Sequence, residues 1–168
     1  MRQGARIEAA IEILERIRDN NTPMDNTIRD YMHFKRYIGS KDRAAIVELV
    51  YGVVRAQARI GWWLEKAKLE DSPRSRVIAQ LMLGVEKLSP HNVDIRFTGE
   101  KYQPAVLNDS EKKALEIFKE QELSHADQPS AVRVECPEWA EKDLRELFGD
   151  DFEAQLEAMM IPAKLDLR

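Results

Sequence analysis

Residues 40–55, Ser40-Lys41-Asp42-Arg43-Ala44-Ala45-Ile46-Val47-Glu48-Leu49-Val50-Tyr51-Gly52-Val53-Val54-Arg55, constrain the fold more than any other stretch of the chain. Ile46, Leu49, Val50 and Val53 recur at helical spacing, Ser40 follows Gly39 in the position of a cap, and Asp42 sets negative charge at the positive end of the helix dipole. The spacing predicts a helix with a buried stripe, central to a core. Gly52 costs about 1 kcal/mol relative to alanine inside a helix, which points to a close approach there by another helix or by an RNA backbone.

The flanking sequence repeats the same periodicity. Ile7, Ala10, Ile11, Leu14 and Ile17 share one helical face with Glu8, Glu12, Glu15, Arg16 and Arg18 turned outward, and Asn20-Asn21-Thr22-Pro23 ends that helix. A second helix from about Asp25 to Arg36 carries Ile28, Tyr31 and Met32 inward. Beyond Ala56 a further helix carries Ile60, Trp63, Leu64 and Ala67. Ser72-Pro73 then reads as a cap followed by proline at the first helical position, with Val77, Ile78, Leu81, Met82 and Val85 as the apolar face behind it. A short helical piece and loop fill His91 to Asn108, and Asp109-Ser110-Glu111 starts a helix through about Glu122. Ser124 to Glu135 has no periodicity and reads as a linker. Pro137 opens a helix with Trp139, Leu144, Leu147 and Phe148, closed by Gly149, and Phe152, Leu156, Met159 and Met160 make one more. Residues after Pro162 alternate as a strand would. The pattern predicts an all-α fold, and a lone terminal strand without a partner suggests that a second domain begins where the chain stops.

Of 168 residues 43% are apolar, enough for an ordinary core. No apolar run approaches the roughly 20 residues of a membrane helix, and Arg2, Arg6 and Glu8 near the N-terminus do not suit a signal peptide, so a soluble, cytoplasmic protein is expected. The net charge of −4 hides an asymmetry: residues 1–91 hold 16 Lys/Arg against 12 Asp/Glu, and residues 92–168 hold 10 against 18. The basic front half is compatible with phosphate contacts, but its excess is modest, so RNA binding by this piece alone should be weak. No glycine-rich strand-to-helix turn provides for a bound cofactor, and the single Cys136 leaves no disulfide framework or cysteine-based zinc site. His33, His91 and His125 have no metal-ligand spacing, and neither Ser40 nor Ser72 stands near a base, so no catalytic, metal or cofactor residue is assigned.

Asp42-Arg43, Leu49-Val50-Tyr51-Gly52-Val53-Val54-Arg55, Ile60 and Trp62-Trp63 together resemble the NusB-type RNA-binding helical domain. Gly4-Ala5-Arg6-Ile7-Glu8-Ala9-Ala10-Ile11-Glu12-Ile13-Leu14 at the front, and Pro137-Glu138-Trp139, Leu147-Phe148-Gly149 and Leu165-Asp166-Leu167-Arg168 at the back, are similar to that domain as it opens the RsmB/Fmu-type ribosomal RNA cytosine-C5 methyltransferases. The match is firm over residues 1–63 and 137–168 and loose between. It implies a NusB-like bundle over residues 1–125 and, over 126–168, a linker and helical connector leading into a methyltransferase domain absent from this chain. It also implies S-adenosylmethionine as the cofactor of that absent domain, 16S ribosomal RNA and the methyltransferase domain in cis as partners, and an accessory role that positions RNA. Cys136 follows Glu135 instead of standing in the Pro-Cys or Thr-Cys motif of the family, so it reads as an inert thiol. A protein-interaction module is the alternative, which the acidic second half fits; a free-standing antitermination-like factor is another.

Arg2, Arg6, Lys35, Arg36, Lys41 and Arg43 lie near the ends of the first three helices and are the candidate RNA-binding residues. Converging at one helix junction, they would suit phosphates, aided by free backbone N–H groups at the start of the third helix. The other reading is a solvated face with ordinary ion pairs, Arg43 with Asp42 for instance. The resemblance favours RNA, since members of that family use this end of the fold. Trp62, Trp63 and Tyr31 can stack on bases, yet the helical spacing puts Trp63 in the core and Trp62 at its edge, with Trp139 anchoring the connector helix on the rest of the protein.

Overall fold

The computed structural model describes residues 1–20 and 22–161, and every regular element among them is helical. In chain order these are α1 (Gln3–Asp19), α2 (Met24–Phe34), α3 (Ser40–Arg55), α4 (Gln57–Lys66), α5 (Pro73–Leu83), α6 (Pro90–Asp94), α7 (Asp109–Phe118), α8 (Ser130–Arg133), α9 (Glu138–Phe148) and α10 (Phe152–Met160), with a 3-10 turn at Gly149–Asp151. The all-α class is therefore observed. The alternating segment after Pro162, including Leu165-Asp166-Leu167-Arg168, lies outside the described residues.

The centre belongs to α5, not to α3 as the spacing predicts. No charged residue falls between Arg76 and Glu86, and Val77, Ile78, Ala79, Leu81, Met82 and Leu83 are all buried, so α5 packs on α1, α3, α4, α6 and α7 together. Helix α3 packs chiefly on α1 and buries the narrower stripe Ile46, Val50 and Val53. Leu49 is only half-buried, because it lies at the border of that stripe where a shallow pocket opens between α3 and α5. At Gly52 the close neighbour is a side chain of another helix: a Cβ there would come 2.6 Å from Gln80 Nε2 of α5. Helix α1 is covered by α2, α3 and α5, so Ala9 and Ile13 are buried beside the expected Ile7, Ala10, Ile11 and Leu14.

Caps decide where these helices start. Ser72 Oγ accepts from Ser75 N at 3.2 Å while Ser72 N donates to Ser75 Oγ at 3.0 Å, with Pro73 first in α5. Asn108 and Glu111 make the same reciprocal pair at the head of α7, at 2.9 and 2.8 Å. Ser40 makes no such bond. It is the first helical residue of α3, Gly39 holds the cap position, and no side chain caps the turn. Gly84 turns the chain out of α5, which leaves Val85, expected on the buried face, 96% exposed.

The segment read as a linker is strapped to α4. Trp63, 1% exposed, donates from Nε1 to Leu123 O at 3.0 Å, and the His125 ring stacks on half-buried Trp62 with centroids 5.5 Å apart. Glu135 reaches the N-terminus of α4, where its carboxylate accepts from Ala58 N at 2.7 Å, Arg59 N at 3.2 Å and Arg59 Nε at 2.8 Å. That anion on free helix N–H groups does the work of a cap. Helices α8 to α10 enclose a smaller cluster of Ala131, Val134, Cys136, Phe152 and Leu156, against which Leu144 and Phe148 pack. Trp139, expected to anchor α9, is 84% exposed, and Leu147 and Met159 also face solvent. The inward stripe of α9 is Ala140, Leu144 and Phe148, spaced i, i+4, i+8, and Trp139 stands a quarter turn off it.

Candidate functional site

The start of α1, the end of α2 and the start of α3 do converge. Asp42 in the first turn of α3 holds two cations of the N-terminal segment, Arg6 Nε at 2.6 Å and the Met1 amine at 3.3 Å. Burial pushes the Asp42 carboxyl up, but the hydrogen bonds from Arg6 and the N-terminal amine more than offset this and hold it below the usual carboxylate range. Among the described residues Arg43 pairs with no carboxylate. It donates from Nε to Ile38 O at 2.8 Å and closes the turn between α2 and α3. Arg6 and Arg43 thus serve the junction itself, and the pairing of Arg43 with Asp42 is replaced by Arg6 with Asp42 because α1 approaches that carboxylate from the far side of the turn.

Arg2 and Lys35 point elsewhere, into an open groove of about 870 Å³ lined also by Ala5, Tyr37, Lys101 and Tyr102. Lys35 Nζ reaches Glu12 Oε2 at 3.2 Å and lies 5.2 Å from the centre of the Tyr31 ring. Tyr31 is buried and donates to the same Glu12 oxygen at 2.7 Å, so it is a packing residue and presents no face to a base. Burial first, and then the Glu12 hydrogen bond, push its phenol well up. Arg36 is exposed beside His33, with 3.3 Å between Arg36 Nη2 and His33 Nε2, and Lys41 is exposed in the first turn of α3.

The far wall of the groove is a loop with no periodic signal in the sequence. Gly99 N donates to Pro104 O and Gln103 N to Glu100 O, both at 2.9 Å, forming a tight turn with Tyr102 at its tip in the left-handed region, φ +65°. Glu100 Oε2 ties the turn to the N-terminus by accepting from Arg2 Nη1 at 2.7 Å and from Gln103 Nε2 at 2.8 Å. Close approach of α1 to this loop requires Gly4, since a Cβ there would sit 2.7 Å from Arg96 O. Tyr37 is 72% and Tyr102 66% exposed, and Lys101 Nζ lies 5.0 Å from the centre of the Tyr102 ring. Lys101, Tyr102 and Tyr37 lie outside the helix ends whose cations the sequence marks. A tyrosine beside a lysine in a Gly-to-Pro loop was the available clue.

The groove is lined by the Arg2 guanidinium, paired with Glu100, the Lys35 ammonium, paired with Glu12, the Lys101 ammonium and the exposed phenol rings of Tyr37 and Tyr102. Its polar chemistry is that of binding: an anion can lie between Arg2, Lys35 and Lys101, and a flat ring can lie on Tyr37 or Tyr102. Elsewhere, burial pushes the Cys136 thiol up, so little of it is thiolate. Among the described residues no group of three His, Cys, Asp or Glu side chains is placed to hold a metal ion, and no helix is long and apolar enough to cross a membrane. No family model, curated protein or solved structure matches the chain.

Proposed function

We propose that this chain is an RNA-engaging helical module of NusB type, which seats ribosomal RNA for an S-adenosylmethionine-dependent cytosine-C5 methyltransferase domain in cis. The observation that carries the reading is the single groove in which Arg2, Lys35 and Lys101 stand with exposed Tyr37 and Tyr102. Cations attract the phosphate backbone and release its condensed counterions, while exposed rings accept unpaired bases. The residue resemblance supplies the methyltransferase context, and no step of methyl transfer is assigned to residues of this chain. Arg36 and Lys41, both exposed, add to the positive field, whereas Arg6 and Arg43 act by holding the junction in shape.

Fluorescence anisotropy with a ribosomal RNA hairpin over a series of salt concentrations tests this. The affinity should fall steeply with salt, and joint replacement of Lys35 and Lys101 by alanine should lower the log–log slope by about one to two, since each phosphate contact contributes about 0.7 to 0.9. Replacing Lys112 and Lys113 on α7 should leave it unchanged. Absence of binding at low salt, or a slope indifferent to Lys35 and Lys101, overturns the reading.

A further inference from the structure

The groove draws on the N-terminal helices and the Gly99–Pro104 turn and leaves α9 and α10 without a role. Among the described residues, five of the thirteen exposed large apolar side chains fall at the C-terminal end: Trp139, Leu147, Met159, Met160 and Ile161. On α9 the exposure is organised. With Ala140, Leu144 and Phe148 turned to the small core, a second face carries Trp139, Asp143, Glu146 and Leu147, spaced i, i+4, i+7, i+8, all exposed. Trp139 and Leu147 stand two turns apart, about 12 Å along the axis, with the two carboxylates between them.

The charge around this face is one-sided. Residues 138–151 contain Glu138, Glu141, Asp143, Glu146, Asp150 and Asp151 against Lys142 and Arg145. Arg145, although exposed, is already engaged: it donates to Glu141 at 2.8 Å and Ser130 Oγ at 2.7 Å, and its guanidinium lies 4.2 Å from the centre of the Phe152 ring. Lys142 is the other cation of α9, and it too is exposed. An exposed indole is among the side chains enriched as interface anchors, and a fringe rich in carboxylates, of which Asp143 and Glu146 make no ion pair among the described residues, selects a partner of opposite sign while repelling nucleic acid.

We infer that the Trp139–Leu147 face of α9 is a docking surface for a basic protein segment, one that offers an apolar slot for the indole and lysines or arginines to Asp143 and Glu146. The segment lies along two turns of α9, its apolar residues on Trp139 and Leu147 and its cations over the carboxylates. The chain then has two ends of opposite sign, the groove taking phosphates and α9 taking a basic polypeptide.

The test uses the whole chain and three labelled probes at near-physiological salt: a short amphipathic Leu/Lys peptide, a Ser/Lys peptide of equal charge, and the RNA hairpin. The Leu/Lys peptide should bind, and Trp139→Ala should weaken it about tenfold or more. Asp143→Lys with Glu146→Lys should do the same, and the Ser/Lys peptide should bind at least tenfold more weakly. All replaced residues are exposed, and circular dichroism of each variant confirms that the helices persist. RNA affinity should not fall in Trp139→Ala, which keeps this test separate from that of the groove. The inference is overturned if Trp139→Ala or the charge reversal leaves peptide affinity unchanged, or if the Ser/Lys peptide binds as well. It is equally overturned if sedimentation shows self-association abolished by Trp139→Ala, which would make the occupant a second copy, or if RNA binding needs Trp139.

Discussion

The α1–α7 region and the α8–α10 region are both helical, but they are held by different means. The first encloses a single large cluster with Trp63, Tyr31, Phe97, Phe118 and most of α5 buried, and two of its exposed aromatic rings, Tyr37 and Tyr102, line one groove. The second buries only Ala131, Val134, Cys136, Ala140, Phe152 and Leu156 and depends on polar ties, Arg133 to Glu153 at 2.8 Å within it and Glu135 to the head of α4. Three short helices with so few buried apolar residues gain little from burial, so their order leans on the larger cluster through Glu135 and the packing of α8 on α4. Exposed large apolar side chains are accordingly denser on the region that has the smaller core, Trp139, Leu147, Met159, Met160 and Ile161 falling within its short span.

The sharpest way to break this contrast is a cavity in each cluster. Trp63→Ala should cost about 3 to 5 kcal/mol in urea unfolding of the whole chain, since it empties the contact between α4, Phe118 and the His125 strap. Phe152→Ala should instead free the amides of α9 and α10 to hydrogen exchange while leaving those of α5 protected. Equal global loss from both would mean that one cluster spans the chain. Within the first region, Ile46→Ala should cost about 2 to 4 kcal/mol and half-buried Leu49→Ala distinctly less. A reversed order would place α3 the other way round.

Next in size is the ion pair that joins α5 to α7. Arg74 Nε and Nη2 lie 2.6 and 3.1 Å from the Glu111 carboxylate, which is 6% exposed and also caps α7. Arg74→Met leaves that carboxylate without its cation and should cost about 3 kcal/mol, read by thermal unfolding. Replacing Glu135 by Gln keeps the acceptor shape but removes the charge at the head of α4, and should cost about 1 to 2 kcal/mol while raising exchange in α8–α10 more than in α1.

The smallest expected effect is the pH dependence of the N-terminal junction. Asp42 is held below its ordinary value of 3.8, so its contribution is present above that value and is lost as pH falls through the lower folded-state value. Asp42→Asn should therefore reduce stability near pH 7 and narrow its gap to the wild type in acid. A gap that widens on acidification contradicts the ion pair with Arg6.

How much of this was legible in the sequence follows from the range of the interactions. The cap Ser72-Pro73, the stripe Ile46-Val50-Val53 and buried Trp63 are local or periodic, and the spacing found them. Glu135 acts 77 residues away from Ala58, at the end of a segment with no periodicity, so nothing near it announces a cap. Trp139 was misread because α9 carries apolar residues on two faces, and composition alone does not say which face finds a core. The groove has the same difficulty: Arg2, Lys35 and Lys101 come from three separate stretches. Cations at helix ends located Arg2 and Lys35, whereas Lys101 and Tyr102 depend on a turn stitched to the N-terminus by Glu100.

The difference between the two regions is tested most directly by hydrogen exchange of the whole chain with and without a ribosomal RNA hairpin at low salt. Amides around Arg2–Arg6, Lys35–Ile38 and Gly99–Pro104 should slow on binding, and those of α9 and α10 should not change. Protection centred on α9, or none at the groove, would contradict the assignment of RNA to the basic end.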